Sequence, residues 1–264
     1  MKARGLLSLV TFSEKRSEIL LMLLEGPKSL DDIKNYFRAT TPEILPRLKE
    51  LESSGLIYQE ERKYYLSEIG EVIAKSFSRF YRNLKIFEKD MKFWEEHQIS
   101  GIPEKFRLRL YELGDYKIFR STPTEIFKPH DEYVKNLLRS KWIRGVSPVL
   151  HPDYPKFILK LAEEGKDITI IITKDVLKKI EEKHNIELEE GLQYKNAKLM
   201  LCNEEVKVAF TTSDMFLSMR LFLKSGIYDF YQNLISHEKS AIKWGRELFD
   251  YFKKRSEEIK SLNV

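Results

Sequence analysis

Hydrophobic positions in the first quarter of the chain recur at helical spacing and are separated by helix-breaking residues. A first helix is predicted to begin after Ser13, its N-cap, and to end at Gly26-Pro27, because glycine suits a helix C-terminus and proline cannot continue the helix. A second helix is predicted to begin in the same way at Ser29. Two short helices are therefore predicted from residue 13 onward.

A third helix is predicted from a capping box, in which Thr40 stands three residues before Glu43. Gly55 stops this helix. Pro46 conflicts with it, because an interior proline removes a hydrogen bond and clashes with a carbonyl group. Two alternatives follow: the regular helix begins near Pro46, or its first turn is kinked.

Two segments rich in β-forming residues come next, Leu56–Gln59 and Lys63–Leu66, and they flank the polar turn Glu60-Glu61-Arg62. This pattern predicts a hairpin. Three helices followed by a hairpin predict a winged helix-turn-helix over residues 1–66.

The segment 67–97 contains no proline and predicts one long helix. Its apolar residues follow alternating steps of four and three, as in a heptad seam: Ile73, Phe77, Phe80, Leu84, Phe87, Met91 and Trp94. One interpretation is a helix packed against its own chain. We favour a helix that joins two copies in a homodimer, although the large aromatic residues also fit a short crossing or a mixed bundle.

Beyond Gly101-Ile102-Pro103 the pattern alternates between strand and helix, which predicts an α/β domain over residues 98–264. Strands are predicted at 115–120, 141–150, 168–173, 197–202, 206–211 and 216–223. Helices are predicted at 123–138, 155–164, 174–184 and from about 236 to 259. The predicted sheet is mixed, with parallel pairs and a final small meander. The whole chain is therefore expected to be of the mixed α+β class: a winged helix-turn-helix, a long connecting helix and a C-terminal α/β domain.

Composition limits the classes of function. The 264 residues carry a net charge of only +5, which excludes a polycation that binds nucleic acid through bulk charge. The single cysteine excludes a disulfide framework and a multi-thiolate metal site. The longest apolar run, Ile19 to Leu24, is too short to cross a bilayer. We expect a protein of the cytoplasm with no membrane partner.

Double-stranded DNA is the partner that the winged helix predicts. The third helix of such a unit enters the major groove, and its candidate contact residues are Thr40, Thr41, Glu43, Arg47 and Lys49. Arg47 is the leading candidate, because a guanidinium group can bind a guanine edge with two hydrogen bonds.

Phosphate contacts are expected from residues on or just before the second helix and at the tip of the wing: Lys28, Ser29, Lys34, Arg38, Arg62 and Lys63. Residues 1–66 carry 11 Lys and Arg against 10 Asp and Glu. The alternative is therefore a charged face that is simply solvated.

A ligand site is predicted where the apolar strand 141–150 meets a segment rich in proline, because ligands of α/β sheets bind beyond the carboxyl ends of strands. Ser147, His151 and Tyr154 would line it. The alternative is a stiff turn. Arg220 is a further candidate, since an interior arginine within an apolar strand needs an anionic partner from the protein or from a ligand.

No sequence motif indicates catalysis, a metal or a cofactor. Glycine-rich phosphate loops, the pattern His-Glu-x-x-His and the nucleophile-elbow motif are absent from the sequence. No catalytic residue, metal ligand or cofactor is therefore predicted.

The chain resembles two known families. Its first 66 residues resemble the winged helix of ArsR-like regulators, without a counterpart of their cysteine and histidine metal ligands. Five later motifs resemble the C-terminal domain of archaeal Fil-type methanogenesis regulators: ISGIP at 99–103, SKWIRGVSP at 140–148, HPDYP at 151–155, LKSGIYD at 223–229 and SAIKWG at 240–245. The resemblance implies a dimeric DNA-binding transcriptional regulator with a sensing domain, but it transfers no ligand and no catalytic residue.

The sequence therefore predicts a non-enzymatic, dimeric transcriptional regulator whose C-terminal domain senses a small-molecule effector. In one alternative, the C-terminal domain is a ligand-free module that binds another protein. In a less favoured alternative it is a nucleic-acid-processing hydrolase. A phospholipase-D-like site needs His-x-Lys, however, and His151-Pro152-Asp153 lacks the lysine.

Overall fold

A computed structural model describes residues 5–122 and 130–260 of the chain. The chain divides into two compact units, Met1–Leu84 and Lys85–Val264. The boundary falls near the end of a helix, and each unit has its own hydrophobic core.

The first unit is helical with a small sheet, as predicted. Its elements are α1 (Leu6–Thr11), α2 (Glu14–Leu23), β1 (Lys28–Ser29), α3 (Leu30–Phe37), α4 (Thr41–Ser53), β2 (Ile57–Glu60), β3 (Lys63–Leu66) and most of α5 (Glu68–Lys89). Ile19, Ile33 and Leu48 come from three different helices and are fully or almost fully buried in its core. Burial of such side chains typically contributes about 1.5–3 kcal/mol each.

The helix starts follow from their capping residues. The Ser29 side chain accepts a hydrogen bond from the backbone of Asp32 at 3.1 Å, and the Thr40 backbone donates to the carboxylate of Glu43 at 2.9 Å. Both are capping boxes. Helix α4 begins at Thr41 and continues through Pro46, so the alternative of a start near Pro46 is wrong.

The wing is the predicted hairpin with a third strand that the sequence did not indicate. The sheet order is β1-β3-β2, and all neighbours are antiparallel. Glu61 and Arg62 both adopt positive φ, +46° and +62°, and link β2 to β3 as a two-residue turn. Strand β1 is only two residues long, which is too short to produce an alternating pattern.

Gly70, near the start of α5, is required by a close approach. A Cβ atom added there would lie 1.8 Å from the carbonyl oxygen of Leu56. The same oxygen accepts a hydrogen bond from the Ser67 backbone at 3.0 Å. Only glycine fits against this carbonyl group.

The prediction of one helix from 67 to 97 is wrong in its last quarter. Helix α5 ends at Lys89, and a separate helix, α6 (Met91–Glu96), begins after Asp90. The break places the Trp94 indole 3.1 Å from the carbonyl oxygen of Ile86, to which it donates. In a continuous helix these residues would be separated by about 12 Å along the axis.

The second unit contains an eight-stranded sheet. Its strands are β4 (Tyr116–Arg120), β5 (Trp142–Ser147), β6 (Asp167–Thr173), β7 (Ala197–Cys202), β8 (Val208–Ser213), β9 (Leu217–Leu221), β10 (Gln232–Ser236) and β11 (Ser256–Glu258), in the order β11-β7-β6-β5-β8-β9-β10-β4. Strands β5, β6 and β7 are parallel, and the other pairs are antiparallel. The mixed sheet and its meander confirm the predicted fold class.

Helices cover both faces of this sheet. They are α7 (Glu104–Arg107), α8 (Asp131–Arg139), α9 (Tyr154–Glu163), α10 (Lys174–Lys183), α11 (Asn185–Leu192) and α12 (Lys239–Lys253). Helix α12 packs on the face that carries Phe210 and Leu217. Helices α8 to α11 pack on the opposite face, which carries Ile143 and Ile168. The core is thus three layers deep, helix on sheet on helix.

Three predicted elements of this unit differ from the structure. The closing helix ends at Lys253, and 256–258 form strand β11 along β7. The strand predicted over 141–150 ends at Ser147, and the predicted helix 174–184 is followed by a second helix, α11. Strand β10 was not predicted. The first seven positions of the predicted helix 123–138 lie outside the described residues.

Candidate nucleic-acid interface and ligand cavity

The tip of the wing and the start of α3 lie side by side. Strand register pairs Ser29 with Lys63 and Lys28 with Tyr64. The structure therefore brings together Lys28, Ser29 and Lys63, which the sequence analysis had predicted as phosphate contacts in two separate segments. The carboxylate of Asp32 lies among them, and hydrogen bonds from Ser29, helped by the charges of Lys28 and Lys63, hold the pKa of Asp32 below its ordinary value.

The residues at the start of α4 serve first to cap that helix. The Glu43 carboxylate accepts hydrogen bonds from the backbone and hydroxyl of Thr40. The Arg47 guanidinium donates to the Glu43 carbonyl oxygen, so this side chain lies along its own helix. Thr41 is the first residue of α4 and is half-buried. For Arg47 to reach a base, its side chain has to leave the Glu43 carbonyl.

Lys49 lies on a different side of the same helix. Two residues on from Arg47, it is rotated by about 200° around the helix axis, and it is exposed. The buried face of α4 carries Ile44, Leu48 and Leu51. Arg47 therefore borders the core, whereas Lys49 lies on the outward face.

Among the other cations of the predicted DNA-contacting set, three are exposed, and Lys34 is paired. Arg38 adopts a left-handed conformation at the C-cap of α3, and Arg62 and Lys63 lie at the tip of the wing. Lys34 forms an ion pair with Asp31 at 2.9 Å. The predicted DNA-contacting set thus occupies strand β1, helix α3, the turn between α3 and α4, helix α4 and the wing.

A second feature is a cavity of about 180 Å³ in the second unit, between the sheet and helices α8 to α11. All four predicted ligand-binding residues, Ser147, His151, Tyr154 and Arg220, line it. They come from strand β5, the following loop, helix α9 and strand β9. The rest of the lining is mostly apolar, with Ile170 and Ile172 of strand β6 on its floor.

The loop after β5 is also a well-bonded turn, as its alternative interpretation required. The Ser147 hydroxyl donates to the carbonyl oxygen of Val149 at 2.6 Å. The Nδ1 atom of His151 accepts from the backbone of Asp153 at 3.2 Å. The His151 ring stacks on Tyr154 with centroids 4.5 Å apart. These bonds hold the loop in place at the edge of the cavity.

Arg220 contributes the one arginine of the cavity lining. Its Nη1 atom donates to the carbonyl oxygen of Phe230 at 2.6 Å. Among the residues that the structure describes, no carboxylate forms an ion pair with it. An interior arginine in an apolar strand is expected to have an anionic partner, and within that part of the chain the protein does not supply one.

Three tyrosines line the cavity together with Arg220 and lie close enough for its charge to act on their ionisation. Burial raises the pKa of Tyr133, of Tyr154 and of Tyr228, and the nearby charge of Arg220 opposes that rise in each case. The Tyr133 hydroxyl lies 3.0 Å from the Thr211 hydroxyl. At neutral pH these phenols are uncharged and retain O–H groups that can donate.

Sequence reasoning missed Tyr133 and Thr211 as parts of this site. Tyr133 fits the apolar stripe of helix α8, and Thr211 fits a strand pattern, so neither is unusual in the sequence. Their proximity depends on the order of strands in the sheet. Asp229, which follows Tyr228, instead binds His97 at 2.9 Å and does not line the cavity.

Helices α1 and α5 of the first unit expose apolar side chains. On α5, Ile69, Val72 and Phe80 are each more than half exposed. Leu7 of α1 and Phe12, the residue that follows α1, are about four-fifths exposed, at 78% and 82%. Monomeric proteins rarely leave such residues grouped at the surface.

Across residues 5–122 and 130–260, no helix is both long and apolar enough to cross a membrane. Within the same ranges, no three His, Cys, Asp or Glu residues cluster as a metal site would require.

Comparison with known families gives two matches in chain order. Residues 5–85 match the N-terminal domain of the methanogenesis regulatory protein FilR1, and residues 126–255 match the middle domain of the same protein. The FilR1 protein of Methanothrix harundinacea (strain 6Ac) is 26% identical over 251 residues. These residues are 94% of this chain and 56% of that protein, so the chain spans about half the length of its curated relative.

Two solved structures show more distant likeness. One is TrmBL2, described as an archaeal chromatin protein with a novel mode of DNA binding, at 13% identity and a TM-score of 0.44, with 98% of this chain and 100% of that chain covered. The other is Nuc, a phospholipase D family member from Salmonella typhimurium, at 12% identity and a TM-score of 0.43, with 56% and 99% covered. These TM-scores are too low for either likeness to bear on function.

Proposed function

Because the chain belongs to the family of the methanogenesis regulatory protein FilR1, we propose that it is a DNA-binding transcriptional regulator that acts as a homodimer and responds to a small-molecule effector. The first unit would bind double-stranded DNA. The second unit would bind the effector.

The observation that carries DNA binding is the arrangement of helix α4 beside the wing. Helices α3 and α4 are joined by a three-residue turn, Arg38–Thr40, and strand β3 carries Lys63 next to Ser29. In winged helix-turn-helix proteins the second helix of the helix-turn-helix, here α4, enters the major groove, and residues on either side of it contact phosphates. Arg38, Lys49, Arg62 and Lys63 are exposed and suited to such contacts.

Homodimer formation is supported by the exposed apolar residues of the first unit. Val72 and Phe80 lie on one helix, and a partner copy would remove them from water at about 25 cal/mol per Å². Two-fold dimers are the commonest oligomers, and such a dimer places two DNA-binding units on two half-sites of the DNA. Since residues 1–66 have a net charge of only +1, from 11 cations and 10 anions, pairing would supply affinity that bulk charge does not.

Effector binding is supported by the cavity of the second unit. A ligand that binds one dimer geometry better than another would shift the DNA affinity by that difference in binding free energy. We also infer that the winged helix is ArsR-like, without the metal ligands of that group, and that the protein works in the cytoplasm.

The experiment that tests the proposal is a DNA titration followed by fluorescence anisotropy at several salt concentrations. Promoter fragments from the source genome would be compared with a random fragment of equal length. We expect a preferred fragment and a logarithm of affinity that falls linearly with the logarithm of salt concentration. Equal, weak binding to every fragment would contradict the proposal.

A further inference from the structure

The cavity of the second unit follows one face of the sheet. Its floor consists of residues at alternate positions of consecutive strands, including Ile170 of β6, Gly145 of β5, Thr211 of β8 and Arg220 of β9. Alternate residues point to the same face of a sheet. The floor of the cavity is therefore apolar where β6 forms it and polar where β9 forms it.

The polar end contains one cation with spare hydrogen-bonding capacity. A guanidinium group has five N–H donors, and the Nη1 bond to the Phe230 carbonyl oxygen fixes one edge of it. The remaining donors of Arg220 have no protein partner within the part of the chain that the structure describes. A guanidinium group in this state matches a carboxylate, which it can bind with two parallel hydrogen bonds.

The groups around Arg220 are neutral donors rather than acids. Tyr133, Tyr154 and Tyr228 lie close enough for its charge to act on their ionisation, and burial keeps all three protonated. Their hydroxyl groups can donate to an anion. Neutral donors near one arginine favour a single negative charge rather than a phosphate dianion, because the other cation among the described lining residues, Lys198, already pairs with Glu258 at 3.6 Å.

The apolar end of the cavity determines which chemical group the ligand can carry besides its carboxylate. Ile172 and Leu188 line it, and the cavity of about 180 Å³ is somewhat larger than an apolar protein cavity of about 150 Å³ that accepts benzene. A sugar or a nucleotide would bury its polar groups there without partners. An aromatic ring or a short alkyl chain would not.

We propose that this cavity binds an organic monocarboxylate with an apolar body, whose carboxylate pairs with Arg220 while the body lies over Ile170 and Ile172. This proposal names the class of effector for the role proposed above. It rests on that role only for the expectation that the ligand changes DNA affinity. The binding itself can be measured without DNA.

The test is isothermal titration calorimetry of the full chain with phenylacetate, phenylpropionate, hexanoate and octanoate, each beside its uncharged amide. We expect at least one carboxylate to bind, and its amide to bind at least tenfold more weakly, as the loss of a charge-assisted pair predicts. Failure of all four acids to bind, or equal binding of acid and amide, would overturn the proposal.

The matched variants are Arg220→Gln, Arg220→Lys and Arg246→Gln. Arg246 is exposed on helix α12, on the other side of the sheet, and its side chain stacks over Trp142. We expect Arg220→Gln to lower carboxylate affinity at least tenfold, Arg220→Lys to lower it less, and Arg246→Gln to leave it unchanged. Equal affinity of wild type and Arg220→Gln would overturn the proposal.

Two further readouts keep the outcomes separate. If Arg220→Gln fails to fold, as judged by circular dichroism, the comparison of acid and amide on the wild-type protein decides whether binding requires a carboxylate. If a carboxylate binds through Arg220 but leaves DNA affinity unchanged, the ligand class stands and the effector role fails. If DNA binds specifically while no carboxylate binds, the DNA-binding role stands and the ligand class fails.

Discussion

The imidazole of His97 and the carboxylate of Asp229 are 132 positions apart in the chain and lie 2.9 Å apart in the core of the second unit. Nδ1 of His97 lies 2.6 Å from the carbonyl oxygen of Phe93. Since a carbonyl oxygen and a carboxylate both only accept, Nδ1 donates to Phe93 and Nε2 donates to Asp229. The pair ties the chain after α6 to the segment between β9 and β10.

This pair predicts a specific loss of stability in acid. Burial alone would raise the pKa of Asp229, but hydrogen bonds from His97 and from the backbones of Tyr231 and Gln232 outweigh it, and the pKa is lowered. A carboxyl with a lowered folded pKa stabilises the protein above the unfolded value of about 3.9. That stabilisation is lost as the pH falls through the folded pKa.

We therefore expect Asp229→Asn to lower the free energy of unfolding at neutral pH by about 1–3 kcal/mol and to flatten its dependence on pH below about pH 4. Urea denaturation between neutral and acid pH measures both effects. Asp250→Asn, on an exposed position of α12, serves as the control and should retain the wild-type dependence. An unchanged acid dependence in Asp229→Asn would contradict the assignment.

The turn of the wing predicts two substitutions that separate stability from DNA binding. Glu61 and Arg62 are ordinary residues at positive φ, where Asn and Gly are favoured in two-residue hairpin turns. We expect Glu61→Asn to stabilise the first unit by up to about 1 kcal/mol without weakening DNA binding. Arg62→Gly should stabilise it by a similar amount and yet weaken DNA binding, because a phosphate contact is lost.

Thermal denaturation and a DNA titration measure these two variants. Arg62→Gly should reduce the steepness of the salt dependence by about one phosphate contact. Unchanged DNA affinity in Arg62→Gly would remove the wing tip from the interface.

Gly70 and Gly191 should respond to alanine with opposite signs. A methyl group at position 70 would meet the Leu56 carbonyl oxygen, whereas nothing lies within 4 Å of the corresponding position at Gly191. We expect Gly70→Ala to lower the free energy of unfolding by about 1–3 kcal/mol. Gly191→Ala, in helix α11, should raise it by about 0.5–1 kcal/mol. Chemical denaturation of both variants checks the signs, and a neutral Gly70→Ala would refute the close approach.

How far the sequence predicts this fold depends on whether the cause is local. The starts of α3 and α4 were predicted because their caps, Ser29 and Thr40, act within four residues. The break at Asp90 was not, because it depends on Trp94, whose indole also donates to the hydroxyl of Tyr116 at 3.0 Å. No pattern of neighbouring residues in the sequence indicates that contact.

Strand β10 shows a second limit. Gln232 and Asn233 read as a polar loop, yet all five residues of β10 are buried. The Asn233 side chain accepts from Ser218 at 2.8 Å, and Gln232 donates to Asp229 at 3.3 Å. Polar residues whose partners lie on strand β9 and in the segment before β10 prevent the hydropathy pattern from indicating this buried strand.

The ligand cavity was predicted in its parts but not as a whole. The loop after β5 and the unusual Arg220 each stood out in the sequence. Their meeting in one cavity follows from the strand order β5-β8-β9, which only the folded sheet specifies.

The exposed side of α5 predicts that one substitution separates the subunits. Phe80→Glu places a charge on the apolar surface that we propose for the homodimer, and burying it unpaired is costly. We expect a monomer in sedimentation equilibrium and a DNA affinity at least tenfold lower, because one copy contacts one half-site. Lys75→Gln, at an exposed polar position of the same helix, should remain dimeric. A Phe80→Glu dimer would place the interface elsewhere.

Whether this protein is a sequence-specific DNA-binding regulator is decided by genome-wide DNA footprinting with the purified chain, with wild type and Arg47→Ala compared side by side. We expect discrete protected sites with a shared sequence for the wild type. We expect binding at these sites to be weaker in Arg47→Ala by about 1–3 kcal/mol, the typical contribution of a bidentate base contact. Uniform protection, or no protection, with the wild type would show that the protein does not recognise a DNA sequence.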